Sequence, residues 1–384
     1  MSAAFDLAYP SVPVTAEEIA LRTEVRAFVA DWLKRAPPVK RAESWNGFDA
    51  GFSRAIGARG WIGMCWPKQY GGHERSALER YVVVEEMLAA GAPVAAHWFS
   101  DRQSGPALLR YGTETQRREI LPRIARGECY FAVGMSEPDT GSDLASVRTR
   151  AVETGDGFVI NGTKLWTSIA HHAHYMIVFC KTDGADDRHG GASQFLVDMS
   201  SPGIDVRPVR SLTGEHHFNE VALRDLWVPK DALLGQRGDG WKQVMGELAH
   251  ERSGPERFLS SFVVFTELVR RIGVAPDARA AVAIGRVAAR MAVLRRMSRS
   301  VAGMLQAGQD PSLQAVIVKD LGAVLEQEIP EMARLLVDVQ PDPTSSDGLA
   351  SALAYTIQHA PSFSIRGGTR EILRGIIARG LGLR

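Results

Sequence analysis

"GFVINGTKLWTS", residues 157–168, is the stretch on which the reading of the fold turns. Apolar and polar residues alternate along it, the two-residue period of a strand with one buried face. Asn161-Gly162 at its middle is the pair that suits a two-residue hairpin turn, because both residues adopt positive φ at low cost. The spacing therefore predicts a hairpin turning at Asn161-Gly162. The runs "HYMIVFCKTD", "SQFLVDM", "IDVRPV" and "FNEVALRDLWVP" follow, separated by Gly, Pro and Asp turns. Short strands at this spacing predict a small barrel or sandwich over residues 129–233.

On both sides the period changes to 3.6. "TAEEIALRTEVRAFVADWLKR" opens with a Thr15 cap and first-turn acids, and predicts a helix with Ile19, Val25, Phe28, Val29 and Leu33 on one face. "FDAGFSRAIGARG", "ERYVVVEEMLAAG" and "ETQRREILPRIARG" are further helical runs, each ended by glycine. After "GQRGDGWKQVMGELAH" the helical period returns in the long runs "DARAAVAIGRVAARMAVLRRMSRSVAGMLQ" and "PSLQAVIVKDLGAVLEQ", with "VQPDPTSSDG" as a loop. Long helices with short connections predict a bundle. The expectation is an α+β chain of three domains: helices over 1–128, strands over 129–233 and a helical bundle over 234–384.

The 384 residues exceed what one hydrophobic core usually spans. Lys and Arg together number 45 against 44 Asp and Glu, which excludes a global attraction to nucleic acid or an acidic membrane. Cys65, Cys129 and Cys180 lie far apart in apolar surroundings and read as buried free thiols in a reducing compartment. No run of about 18 uncharged apolar residues exists and the N-terminus lacks a signal-peptide pattern, so a cytoplasmic protein is expected.

Several motifs fail. "GDGWKQ" begins like a dinucleotide fingerprint but has Gln243 where a third small residue belongs. No GxxxxGK phosphate loop is present, and "GMSEP" is not a nucleophile elbow. His171, His172 and His174, like His216 and His217, lack carboxylates or cysteines at ligand spacing, so they are read as solvated or hydrogen-bonded and no metal is expected. One loop is different. In "MSEPDTGSDLASVRT", residues 135–149, Ser136, Thr140, Gly141, Ser142 and Asp143 offer small donors on a backbone that a phosphate-bearing ligand can approach closely. The competing reading is a polar loop that satisfies itself.

"PKQYGG" near residue 70, "MSEPDTGSDLASVRT", "INGTKLWTS", "GDGWK" and "GGTREILRGIIAR" stand in the order and spacing of the acyl-CoA dehydrogenase family, which the chain resembles over nearly its whole length. The resemblance implies an N-terminal helical domain, a middle β-barrel and a C-terminal four-helix bundle, with FAD between barrel and bundle at a subunit interface. It also implies α,β-dehydrogenation of an acyl-CoA thioester to the trans-2-enoyl-CoA, with electrons passed to an electron-transferring flavoprotein. By the same resemblance Met135, Ser136, Trp166 and Ser168 lie against the flavin ring, and Gly141 and Ser142 meet the pyrophosphate region of cofactor and substrate. Thr369 and Glu371 contact FAD from the start of the last helix, whose dipole favours phosphate oxygens.

The chain also departs from the family. Most members place a catalytic glutamate immediately before the Gly-Thr of the closing motif, and here that position is Gly367. The branch that includes isovaleryl-CoA dehydrogenase carries its base on the first long bundle helix, where this chain reads "ELAHERSGPER". Glu251 aligns with that base, Glu247 and Glu256 compete with it, and Arg252 aligns with an arginine that binds the CoA portion. Gly367 keeps a backbone N–H for the thioester carbonyl and leaves room that points to a branched or ring-bearing acyl group. The family's Arg-x-x-Phe-Gly and "HGGxGY"-like segments are missing. A homodimer or homotetramer is expected, or a heteromer with a related subunit. The alternative to an enzyme is a catalytically silent or FAD-sharing structural partner subunit.

Overall fold

The computed structural model describes residues 7–183 and 189–383, with the side chains of residues 247–251 outside the described set. In chain order α1 is Ala16–Trp32, α2 Pro38–Glu43, α3 Ala50–Gly57, α4 Ala77–Ala90, α5 Ala95–Phe99, α6 Gly105–Tyr111 and α7 Glu114–Ala125. The strands are β1 Phe131–Gly134, β2 Arg150–Thr154, β3 Gly157–Ser168, β4 Tyr175–Lys181, β5 Ala192–Asp198, β6 Ile204–Val209, β7 Phe218–Pro229 and β8 Leu233–Leu234. Then come α8 Gly240–Glu251, α9 Phe262–Ile272, α10 Ala278–Gln306, α11 Ser312–Leu336, α12 Gly348–Phe363 and α13 Arg370–Gly380. The chain forms two compact units, Met1–Gly47 with Arg75–Val94 and Ala249–Arg384, and Phe48–Glu74 with Ala95–Leu248. The helices of the first 128 residues are thus divided between them.

In the first, helical unit α1 begins where the Thr15 hydroxyl accepts from the Glu18 amide at 3.2 Å. Its buried stripe is Glu18, Leu21, Val25 and Val29, and Ile19 is 58% exposed, contrary to the expected face. The stripe is displaced because Glu18 turns inward to pair with buried Arg299 at 2.7 Å. α4 starts with a reciprocal capping box between Ser76 and Glu79. α11 is the central helix, packed by α9, α10, α12 and α13, and it buries Val316, Val318, Leu325 and Ile329.

In the second unit the strands form one sheet in the order β6-β7-β3-β2-β4-β5-β8, with β1 paired to β4. Inward residues of six strands, Ala132, Ala151, Ile160, Val178, Phe195 and Leu223 among them, share one core, so the sheet wraps around a single apolar centre. α7 is fixed by a second capping box, Thr113 with Gln116.

The hairpin predicted inside 157–168 is not there. Its turn is Gly155-Asp156, closing the Thr154–Gly157 pair between β2 and β3, while Asn161-Gly162 lies within β3 at a register shift against β7. Asn161 is held by Asp225, donating to its carboxylate at 3.1 Å and accepting from its amide at 2.8 Å. Gly162 is required for a different reason than a turn: a Cβ there would stand 2.3 Å from the Thr149 hydroxyl oxygen and 2.7 Å from the Thr149 Cα. Cys129 and Cys180 are buried, and burial pushes their thiols up to about 11 and about 12. Cys65 is exposed, contrary to expectation. No described helix is long and apolar enough to cross a membrane.

Candidate active site

The loop that follows β1 is held from beneath by a buried ion pair. Lys164, on β3, lies on the inward side with Phe158 and Ile160 and is completely buried. Its ammonium donates to Glu137 at 2.8 Å and to the Met135 carbonyl at 3.1 Å. Glu137 also accepts from the Arg148 amide at 2.7 Å, the Thr149 amide at 3.0 Å and the Thr149 hydroxyl at 2.6 Å. Burial pushes the Glu137 carboxyl up, but Lys164 and these donors outweigh it and hold it below its ordinary range. Burial draws the Lys164 ammonium down, opposed by Glu137. Thr149, the residue packed on Gly162, therefore couples the strand to the loop.

With its charges satisfied below, the loop presents small groups outward. Glu137 and Thr140 exchange backbone hydrogen bonds at 2.8 and 3.0 Å, a tight turn after which Gly141 and Ser142 are exposed. No atom lies within 4 Å of where a Gly141 Cβ would stand, so a ligand can approach that backbone. Asp143 caps the next turn by accepting from the Ser146 hydroxyl at 2.6 Å. Half-buried Met135 and Ser136 are brought beside β3 by the Leu165 amide, which donates to the Ser136 carbonyl at 2.8 Å.

Trp166 follows at a bulge in β3, with φ of +60° and 56% exposure, its ring edge-on to Phe218 at 5.7 Å. An exposed indole of this kind is a stacking surface for a planar ring. Beside it the Thr167 hydroxyl oxygen is buried and has no hydrogen-bond partner among the described residues, and half-buried Ser168 pairs with Phe218. Flat stacking surface, unused hydroxyl and open glycine backbone fit a ring-bearing, phosphate-bearing cofactor such as FAD.

A histidine cluster supports this segment. The Asn219 amide donates to the Thr167 carbonyl at 2.9 Å, and its side-chain oxygen contacts His171 Nδ1 at 3.1 Å and His216 Nε2 at 2.6 Å. The two imidazoles stack at 3.8 Å, and His172 stands 4.1 Å from His171. Burial, then His172 and His216, pull His171 down to about 4. His171 and His216 are hydrogen-bonded to Asn219, and no group of three or more such side chains among the described residues is arranged to hold a metal ion.

In the helical unit the glycine turn Gly367-Gly368 has φ of +68° and +97°. Arg252, buried, donates from Nε to the Gly367 carbonyl at 3.3 Å. A Cβ at 367 would meet three guanidinium atoms of buried Arg257 at 3.0 to 3.2 Å, and one at 368 would meet Leu373 at 3.3 Å and Arg252 Nη2 at 3.5 Å. The room expected beside Gly367 is thus filled by Arg257. Glu256 is buried next to Arg257 at 3.7 Å, folded over Gly254.

Arg366 completes the group. Its Nη2 donates to the Glu256 carbonyl at 2.9 Å, to the Ser260 hydroxyl at 2.7 Å and to Glu326 at 2.8 Å. Its guanidinium lies 4.6 Å from the Trp45 ring centroid and 4.7 Å from that of Phe363. Thr369 caps α13 by accepting from the Ile372 amide at 3.4 Å, and Glu371 is exposed in the first turn. Glu247 and Glu251 lie on α8, with their side chains outside the described residues.

The sequence reading therefore finds Met135, Ser136, Gly141, Ser142, Trp166 and Ser168 on neighbouring segments of one unit, and Arg252 beside Gly367 in the other. It missed Lys164, Arg257 and Arg366. For Lys164 a signal existed: it has the same strand parity as Phe158 and Ile160, so an inward lysine demanded a carboxylate partner.

Two comparisons by sequence model match the chain: "Acyl-CoA dehydrogenase, N-terminal domain" over residues 15–128 and "Acyl-CoA dehydrogenase, middle domain" over residues 132–226. The chain is 35% identical over 379 residues to acyl-CoA dehydrogenase IpdE1 of Mycobacterium tuberculosis, covering 94% of this chain and 97% of that protein. Among solved structures it resembles the Tcur3481-Tcur3483 steroid ACAD, with a TM-score of 0.87 and 28% identity over 97% of this chain and 98% of the other. It also resembles a chain of the ChsE4-ChsE5 complex from Mycobacterium tuberculosis, with a TM-score of 0.84 and 29% identity over 98% and 100%.

Replacing Lys164 by Met leaves the Glu137 carboxylate buried without its cation, and is expected to cost about 3 kcal/mol of stability in chemical denaturation. Adding Glu137→Gln to it should recover part of that loss, and equal losses in single and double variants would contradict the coupling. Acid should act through His171. Its folded-state value of about 4 lies below the ordinary 6.5, so between those values the unfolded chain binds the extra proton and stability falls as pH is lowered. His171→Gln is expected to flatten the decline of the thermal midpoint across that window, and an unchanged decline would exclude the contribution.

Proposed function

We propose, from the premise that this chain belongs to the acyl-CoA dehydrogenase family of FAD-binding oxidoreductases acting on CH–CH bonds, that it converts an acyl-CoA thioester to the trans-2-enoyl-CoA with Glu251 as base. The observation that carries this reading is the grip of Arg252 and Arg257 on the Gly367 turn. Residue 367 carries no side chain, and the space its Cβ would enter is bordered by the Arg257 guanidinium at 3.0 Å, so the base is assigned to another element. Glu251 immediately precedes Arg252 in the chain, and the Arg252 side chain donates to the Gly367 carbonyl at 3.3 Å, which supports seeking the base on this segment.

FAD, when bound, supplies the acceptor for the hydride that leaves the substrate's β carbon. Met135, Ser136, Trp166 and Ser168 would hold its ring, Gly141 and Ser142 would approach the pyrophosphates, and Thr369 and Glu371 would contact FAD from the start of α13. Glu251 takes the proton from the α carbon. The Gly367 N–H donates to the thioester carbonyl oxygen as it gains charge, a contribution of about 3 kcal/mol for one oriented donor. Arg252 binds the CoA portion.

Around the Gly367 turn Arg257 pairs with Glu256 and Arg366 with Glu326, while Arg252 donates to the Gly367 carbonyl. Glu256 is a weaker candidate because Arg257 already pairs with it. Electrons would pass to an electron-transferring flavoprotein. The acyl group proposed is ring-bearing, on the similarity to a protein described as a steroid ACAD.

A second reading is favoured by two observations: the similar structures are described as a Tcur3481-Tcur3483 protein and a ChsE4-ChsE5 complex, and α10 and α11 expose Val282, Val293, Leu321 and Leu335. Apolar surface of this kind suits a subunit interface. The chain would then be an FAD-sharing subunit of a heteromer.

Glu251→Gln is expected to keep FAD while flavin bleaching by substrate slows about a hundredfold or more, the scale of a lost base. Gly367→Glu added to that variant should leave it slow, because Arg257 neutralises the new carboxylate. Wild-type bleaching in the single variant, or restored bleaching in the double, would refute the assignment. Flavin absorbance and mass measurement of the chain purified alone separate the two readings: one FAD per chain is expected for a self-sufficient enzyme, and well under one for a sharing subunit.

A further inference from the structure

The helical unit contains a cavity of about 760 Å³ between α1, α4, α9 and α10 that involves none of the residues assigned above. Its size is within the range of small-molecule sites. Leu33, Phe258, Phe262 and Met291 form an apolar floor, while Arg22, Arg26, Arg41, Arg295, Glu85 and Glu86 supply the charged lining.

The charges there do not balance. Glu85 receives Arg22 at 2.6 Å and Arg295 at 2.6 and 3.0 Å, and Glu86 receives Arg22 together with Arg26 at 2.9 and 3.1 Å. Arg41 donates to the Ala90 carbonyl at 2.9 Å and stands 4.0 Å from Glu267, which also pairs with Arg270. Four lining cations against two lining carboxylates leave two positive charges, and counting Glu267 with Arg270 leaves the same two. Three guanidiniums converge on two carboxylates that are each under a tenth exposed, so like charges are crowded around them, with Arg26 and Arg295 also reaching water.

We propose that this cavity binds an amphipathic carboxylate, with its acid group among Arg26, Arg41 and Arg295 and its apolar body on Phe258, Phe262 and Met291. An anion relieves the crowding of guanidiniums and can accept bidentate hydrogen bonds from them. The floor selects an apolar body over a small polar anion. A neutral or cationic amphiphile of the same length gains the floor and leaves the surplus charge uncompensated.

Calorimetric titration of the FAD-loaded protein with dodecanoate, dodecanol and dodecyltrimethylammonium tests this. One dodecanoate per chain is expected, bound at least tenfold more tightly than the other two and weakened by raising the salt concentration. Arg26→Gln should weaken it about tenfold: this side chain is 67% exposed, so its replacement leaves the fold intact. Ala89→Phe, which fills the cavity without altering charge, should abolish it. Absence of binding, equal binding of dodecanol, or wild-type affinity in the Arg26→Gln protein would overturn the proposal, the last by locating dodecanoate in the acyl site. None of these outcomes bears on Glu251, whose test reads flavin bleaching.

Discussion

A lysine ammonium with no exposure to water has to find its counter-charge inside the protein, and Lys164 finds it in Glu137. That single requirement orders much of the sheet unit. Glu137 has room for several donors, and the amides of Arg148 and Thr149 and the Thr149 hydroxyl fill it, so both ends of the loop at 135–149 are tied to one carboxylate. The pair does not have to contribute net stability to have this effect. Once both charges are inside, any arrangement that separates them carries a large desolvation cost, and the loop is restricted to the arrangement that does not. Its outward groups, Ser136, Gly141 and Ser142, are then positioned by contacts they do not themselves make.

The helical unit applies the same principle with a different cation. Buried arginines, not a lysine, dominate the surroundings of Gly367, and they are satisfied in part: Arg366 Nη2 by Glu326 and two further oxygens, with two aromatic rings against the guanidinium and no hydrogen-bond partner for Nε and Nη1 among the described residues, Arg257 by Glu256, and Arg252 by the Gly367 carbonyl. Gly367 is glycine for two reasons that act together. Its φ of +68° disfavours a side chain, and Arg257 occupies the space a side chain would need. Backbone and neighbour are matched, so a side chain at 367 would require both a strained φ and a shift of the Arg257 guanidinium.

How much of this was legible in the sequence depended on whether the signal was local. The Thr15 cap was, because its hydroxyl acts on an amide three residues away. The change of period at the strand unit was, because alternation is a property of neighbours. Asn161-Gly162 misled because the same dipeptide that makes a turn also relieves a close approach, and the approaching residue, Thr149, belongs to another strand-loop junction. Ile19 misled because the helix turned Glu18 inward to a partner 281 residues away. Long-range pairing of charge leaves no periodic trace, and Arg257 and Arg366 were invisible for that reason.

Relocating a base from the 367 loop to a helix is more than a change of address. A carboxylate that stands alone in an apolar site is driven toward its neutral form, which suits a base working near neutral pH. One that stands beside a cation is held ionised and is intrinsically a weaker acceptor of a proton. The arginines around Gly367 would compensate only if they also favour the negative charge that develops on the thioester as the proton leaves. Arg257 is the group whose position allows it, since its guanidinium already stands where the side chain of residue 367 would project. Under the proposed assignment, the strength that a neighbouring cation takes from the base is returned as stabilisation of the charge that the base creates.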